Sequence, residues 1–343
     1  MGNRTTLKDV ARAAGVHVST ASRALDPNTR HPVAKDLADH VRRVSADLGY
    51  QPNAEAYSLR TRRTRMVGVV IPDITEPVYA LILRGLEEAL LPKRFVSIVA
   101  SLDGDFSREA DVIAMMRSRN VDGLILGSVE REDDVVSKLL DQGVPMVTLG
   151  RRVEDERVSS VISDHAAGIR QALGHLVGIG HRAIGHIAGP QSLSTGAERK
   201  AAFVRECGAL GLEVREDAIV PAAAYSIDEG RRCARELATR RTGVTAVVCA
   251  NDRLAVGAIA AFRDFGLECP GDISVTGYND MPMVDLLSPA LTTVRAPLVD
   301  IGRRAAELLL DLIAAPEPER LPRHVVLPVE LVVRGSTRAL SGR

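Results

Sequence analysis

From residue 66 onward, short apolar runs alternate with longer amphipathic stretches, and no other feature restricts the fold of the chain so strongly. The apolar runs cover 66–72, 95–101, 123–127, 145–149, 160–163, 183–188, 246–250 and 274–278. Helical patterns, such as 79–90, 109–119 and 166–178, lie between them. A strand covered on both faces needs a continuous apolar run, and strand–helix alternation places a helix between successive parallel strands. The pattern predicts parallel sheets with helices on both faces, and it supplies enough strands for two α/β subdomains.

The segment before residue 66 follows another rule. Thr6 precedes a helical pattern over 7–14 in which Leu7, Val10 and Ala14 share a face. Thr6 can cap that helix, with Asp9 three residues on completing a short capping box. Gly15 stands where a helix stop belongs. A second helix is predicted over 18–25 and a third over 33–48, with Val33, Leu37, Val41, Val44 and Leu48 on one stripe. Two short helices joined by a glycine turn and covered by a third form a helix-turn-helix arrangement. The second helix is rich in small polar residues and carries one Arg, which suits entry into a major groove. Charge points the same way. Residues 1–65 carry 12 Lys and Arg against 6 Asp and Glu, while the whole chain balances at 44 of each, so the head is +6 and the remainder −6. A basic head suits a polyanion, and an acidic body avoids one.

The run TLKDVARAAGVHVSTASRALD, followed by LGYQPNAEAYSLRTRRTRMVGVVIPD, resembles the lactose/galactose repressor (LacI/GalR) family in both the helix-turn-helix and the hinge after it. The resemblance implies that Val18, Ser19 and Arg23 read base edges. Thr6, Ser22 and Asn28 match positions that contact the DNA backbone and fix register. His17 takes a place the family usually fills with Ser, and it can still reach a phosphate. Asn53 opens a hinge helix in which Ala56 matches the small residue that lets two such helices pack. Leu59 matches the apolar wedge that kinks the duplex from the minor groove. Residues 1–50 are thus the DNA-binding domain, 51–65 the hinge and linker, and 66–343 an effector-binding and dimerisation core.

HLVGIGHRAIGHIAGP, ANDRLAVGAI and ISVTGYND extend the resemblance to a periplasmic-binding-protein-like core of two doubly wound parallel-sheet subdomains. In that fold the chain crosses between the subdomains three times and the ligand lies between them. Ligands of open α/β sheets collect beyond the carboxyl ends of the strands. Asp73, Tyr79, Ser128, Thr195, Arg199, Tyr225, Asn251 and Asn279 follow predicted strands and are the candidate effector contacts. Aromatic rings can stack on a sugar or base, and Arg and Asn can fix hydroxyls or a carboxylate. Asp73 and Asp252 can equally cap the helices that follow them. Asn279 and Gly150 stand where relatives often place Asp, which lowers the negative charge of the pocket and admits an acidic or phosphorylated effector.

No G-x-S-x-G, Walker A or G-x-G-x-x-G pattern stands out, and no catalytic residue, metal site or cofactor is expected. Cys207, Cys233, Cys249 and Cys269 form no C-x-x-C pair and read as ordinary thiols. His165, His175, His181 and His186 read as structural or surface histidines. The N-terminus lacks a secretory h-region and no apolar run reaches about 18 residues, so a cytoplasmic protein without a membrane partner is expected. The leading expectation is a homodimeric transcription regulator, a repressor, on pseudo-palindromic double-stranded operator DNA, controlled by a sugar or related small molecule. The alternative is a solute-binding protein of a transporter.

Overall fold

The computed structural model describes residues 5–25, 33–50 and 63–340. It divides into two compact units, Met1–Thr64 and Arg65–Arg343. The first holds α1 (Leu7–Ala13), α2 (Val18–Leu25) and α3 (Lys35–Asp47). Thr6 caps α1: its hydroxyl donates to the Asp9 carboxylate at 2.6 Å, and the same carboxylate accepts the Thr6 amide at 3.0 Å. Gly15 follows with φ +65°, and the amides of Gly15 and Val16 close onto the carbonyls of Arg12 and Ala11. The left-handed residue costs a glycine least, and it turns the chain into α2. The small core is built on Val10, Ala11, Ala14, Ala21, Ala24, Ala38 and Val41. Alanines at the contact let short helices approach closely. The third helix begins two residues later than its apolar stripe predicts, and Leu48, expected inside, is its exposed C-cap. Ser45 takes the inward place at the correct helical spacing.

The second unit contains two six-stranded sheets. The strands of the first sheet are β1 (Met66–Ile71), β2 (Val96–Ser101), β3 (Gly123–Leu126), β4 (Met146–Leu149), β5 (Ser159–Ser163) and β11 (His324–Leu327). Those of the second are β6 (Ile184–Ala188), β7 (Ile219–Pro221), β8 (Ala246–Cys249), β9 (Ser274–Asn279), β10 (Thr292–Arg295) and β12 (Glu330–Val332). Their orders, β11-β5-β4-β3-β1-β2 and β12-β10-β9-β8-β6-β7, repeat one plan. All pairings are parallel except β10 with β12. The chain passes between sheets after β5, after β10 and after β11, which are the three crossings expected. Central strands are sealed: Val67, Val69, Val70 and Ile71 have no exposed surface, nor have Leu124, Ile125 and Leu126.

Strands β7, β10, β11 and β12 are absent from the sequence prediction. Three of them lie at or next to sheet edges and are only three or four residues long. The fourth, β10, is Thr-Thr-Val-Arg, whose buried threonines do not register as an apolar run.

The intervening helices are α4 (Pro77–Leu90), α5 (Glu109–Ser118), α6 (Asp134–Asp141), α7 (His165–Gly178), α8 (Ser194–Ala209), α9 (Ile227–Thr239), α10 (Asp252–Asp264) and α11 (Leu298–Ala314). In each half one helix pair crosses backbone to backbone through glycines. A Cβ on Gly85 of α4 would lie 1.9 Å from the Val299 carbonyl oxygen of α11, and one on Gly302 would lie 1.9 Å from that of Ile82. Gly230 and Gly257 do the same for α9 and α10, at 2.3 Å and 2.0 Å. Gly85→Ala gains up to about 1 kcal/mol in helix propensity. Overpacking against rigid backbone costs more, so the variant is expected to lose a net ~1–2 kcal/mol. Chemical denaturation should show a lowered midpoint; an unchanged or raised midpoint contradicts the close crossing.

Candidate functional site

Two places in the molecule bring candidate residues together. In the head, His17 is the N-cap of α2. Its carbonyl accepts the amides of Thr20 and Ala21, and its ring Nδ1 accepts the Ser19 amide at 3.3 Å. The Ser19 hydroxyl sits 2.8 Å from the same nitrogen. The imidazole of this exposed residue thus does what a capping Ser would do. Ala21 and Ala24 turn inward, so Ser19 and Arg23, one helical turn apart, turn out to solvent. Arg23 folds back along the helix, with Nε donating to the Ser19 carbonyl at 3.2 Å. His17, Ser19 and Arg23 form one exposed polar patch. Val18 is half-buried and packs on the head core, Ser22 is half-buried, and the Thr6 hydroxyl is engaged by Asp9. Asn28, Asn53, Ala56 and Leu59 lie outside the described residues.

In the second unit, the carboxyl ends of the two sheets face each other across a cavity. Its walls include Tyr79, Thr195, Arg199, Tyr225, Asn251 and Asn279 from the sequence-derived set, and also Glu76, Gly150, Arg151 and Ser163. Local structure explains each position. Tyr79 lies in the first turn of α4 and its hydroxyl donates to the Gly127 carbonyl at 3.3 Å. The Tyr225 hydroxyl donates to Thr195 at 3.0 Å. Asn251 caps α10 through the Leu254 amide at 2.9 Å, so the cap belongs to Asn251 and not to Asp252. Asn279 ends β9 with φ +113°, and Gly150 has φ +67° with open space around it, so backbone conformation and not crowding favours glycine there.

Arg199 is the deepest charge at the site. Its Nη1 donates to the Ala250 carbonyl at 2.5 Å, its Nε donates to His165 Nδ1 at 3.3 Å, and the guanidinium lies 3.7 Å from the Tyr278 ring centroid. Burial, reinforced by the Arg199 cation, holds the His165 pKa well below the usual histidine range. The ring is therefore neutral and can accept the Arg199 proton. His165, read from sequence as a structural or surface histidine, is buried and supports the pocket cation Arg199.

Asp73 and Ser128 do not line the cavity. Asp73 closes a local turn by accepting the Thr75 amide at 2.8 Å. Ser128 is fully buried; its hydroxyl donates to Glu109 and its carbonyl accepts Arg151 Nη1 at 3.4 Å. Arg151 and Glu76 were missed. Both stand just past strand ends, where the same positional rule reaches them, but an Arg and a Glu without a motif read as surface residues.

The two halves are tied across the cavity. Glu76 of the first half pairs with Arg253 of α10 at 3.1 Å, and Arg152 pairs with Glu198 of α8 at 2.6 Å. The amide of Arg152 donates to the Ser194 hydroxyl at 2.9 Å, and that of Arg131 to the Ser192 carbonyl at 2.9 Å. These contacts are few and polar, which suits a closure that can open.

Residues 6–53 match the bacterial regulatory proteins of the lacI family, and residues 173–337 match a periplasmic binding protein-like domain. The ribose operon repressor of Halalkalibacterium halodurans is 31% identical over 335 residues, 97% of each chain. The HTH-type transcriptional regulator CelR of Thermobifida fusca is 35% identical over 340 residues, 97% of this chain and 98% of that one. Among solved structures, a CelR–cellobiose complex is 33% identical with a TM-score of 0.74, covering 97% of this chain and 100% of that one. The Lac repressor dimer bound to operator and the anti-inducer ONPF is 26% identical with a TM-score of 0.83, covering 98% and 100%. The chain belongs to the lacI family of bacterial regulatory proteins. It is a helix-turn-helix transcription regulator, and full-length relatives of that kind set aside the solute-binding alternative. No helix among the described residues is long and apolar enough to cross a membrane.

Behind the pocket, Asp252 accepts the Thr293 hydroxyl at 2.5 Å and the Met281 amide at 2.8 Å. Burial outweighs both bonds and pushes its pKa up to about 7. The folded state then holds a proton that the unfolded chain has released, so this group's contribution to stability falls as pH rises from about 4 to about 7. Asp252→Asn is expected to gain stability relative to the parent as pH rises from about 4 to about 7. Thermal unfolding of both proteins across that range checks it; a constant difference contradicts the raised pKa.

Proposed function

We propose that this regulator reads operator DNA through the His17, Ser19 and Arg23 patch, and that a small molecule held between the two sheets controls that reading. The observation that carries the proposal is the buried Arg199, supported by a neutral histidine and facing a cavity walled by both halves. A ligand that touches both walls favours one relative arrangement of the halves, and differential affinity for two arrangements is the physical basis of control. Tyr79, Tyr225, Thr195, Asn251 and Asn279 offer ring faces, hydroxyls and amides, a set suited to a hydroxylated ring. The sugar names carried by several relatives, ribose and cellobiose, support a sugar or sugar derivative as effector. The solved Lac repressor dimer on its operator supports a homodimer. Two heads related by a two-fold axis would read a pseudo-palindrome. Leu59 serves as the minor-groove wedge and Ala56 as the hinge packing residue. Its role is regulatory and its place the cytoplasm, beside the chromosome.

Arg23→Ala is expected to cost about 1–3 kcal/mol on the specific operator and much less on random duplex. Equal losses on both in a fluorescence anisotropy titration would make Arg23 a phosphate contact. Arg199→Ala is expected to abolish the change in operator affinity produced by a binding sugar while leaving ligand-free operator binding in place. A normal response would remove Arg199 from the site.

A further inference from the structure

The cavity carries an excess of positive charge that a neutral sugar does not answer. Arg151 is 7% exposed and Arg199 4% exposed, and neither has a carboxylate ion-pair partner among the described residues. Arg151 comes from the loop after β4 in the first half, and Arg199 from α8 in the second. Each guanidinium has five N–H donors. The hydrogen bonds made by Arg151 go to a single acceptor, the Ser128 carbonyl at 3.4 Å, and those of Arg199 go to His165 and the Ala250 carbonyl. Arg151 also lies 6.0 Å from the Phe106 ring centroid, and both arginines line the cavity.

The nearby carboxylates Glu76 and Glu109 feel the Arg151 charge, but their direct contacts lie with other groups. Glu76 is paired with Arg253, Glu109 accepts the Ser128 hydroxyl, and Asp252 is held by Thr293 and Met281. Burial pushes Glu109 and Asp252 both up to about 7, which further reduces the negative charge available. Gly150 adds no charge beside them. A buried cation without a contact ion pair is costly to hold, and a ligand anion can supply that contact.

We infer that the effector is a small polyhydroxylated anion, a sugar acid or a sugar phosphate, whose acidic group is gripped by Arg151 while Arg199 and the Asn and Tyr side chains hold its hydroxyls. This rests on the effector reading above and narrows it to a ligand class. Because Arg151 and Arg199 come from opposite halves, such an anion would also draw the halves together.

The test uses the full-length protein and matched compounds: glucose, gluconate, glucuronate and glucose phosphate, with the corresponding ribose series. Calorimetry is expected to show an acidic member binding roughly tenfold or more tighter than its neutral parent, as a charge-assisted bond implies. Preference for the sugar acids or for the phosphates identifies the acidic group. Arg151→Met is expected to erase the preference. The same variant needs no ligand for its second readout: removing an unpaired buried charge should leave the unfolding midpoint of the free protein unchanged or raised. Neutral sugars binding as tightly as acidic ones, to parent and Arg151→Met alike, would overturn the anionic inference and leave the effector cleft standing. Binding by no compound, together with a midpoint lowered by several degrees in Arg151→Met, would overturn both, because Arg151 would then be a structural residue.

Discussion

The body of this regulator depends on a guanidinium held between two sheets without a carboxylate. Arg199 lies over the Tyr278 ring and binds a carbonyl and a neutral imidazole, all supplied by the second half. A carboxylate in place of any of these would neutralise the charge and close the site to a ligand. A carbonyl dipole, an imidazole lone pair and a ring face hold the cation in place without cancelling it. Other features follow from that choice. His165 must stay neutral, and burial keeps it so. The mouth must be bridged by other groups, and Glu76–Arg253 and Arg152–Glu198 do this at the rim.

The same economy appears in the head. Its core is mostly alanine and valine, too small to be strongly stable, so helix ends matter. Thr6 with Asp9 secures the start of α1, Gly15 its end, and His17 the start of α2. The capping imidazole places the N-terminus of α2 and the Ser19–Arg23 face in one patch. In the proposed reading, a patch fixed to the backbone in this way distinguishes bases with little ordering of its side chains on contact.

Much of the architecture was legible in the sequence because it follows from period and punctuation. Eight apolar runs mark eight strands, and Thr6, Gly15 and the 18–25 pattern mark the helix-turn-helix. The missed strands are short and lie at or next to sheet edges, and one of them is buried through polar side chains. Thr292 and Thr293 are fully buried yet polar, and β11 and β12 are short edge strands. At the candidate site, strand-end position found six wall residues. It also drew in Asp73 and Ser128, which follow strands but point to a local turn and to Glu109. Arg151 and His165 escaped because their roles depend on what is absent around one and buried around the other, and neither is written in local sequence.

The central claim is that cleft and head share one equilibrium. Linkage then requires reciprocity: whatever factor a ligand applies to operator affinity, the operator applies to ligand affinity. The direct measurement takes the tightest-binding compound and determines its affinity with and without saturating operator, and the operator affinity with and without that compound. Two matching factors different from one are the predicted result. A compound that occupies the cleft and changes neither affinity would contradict the account.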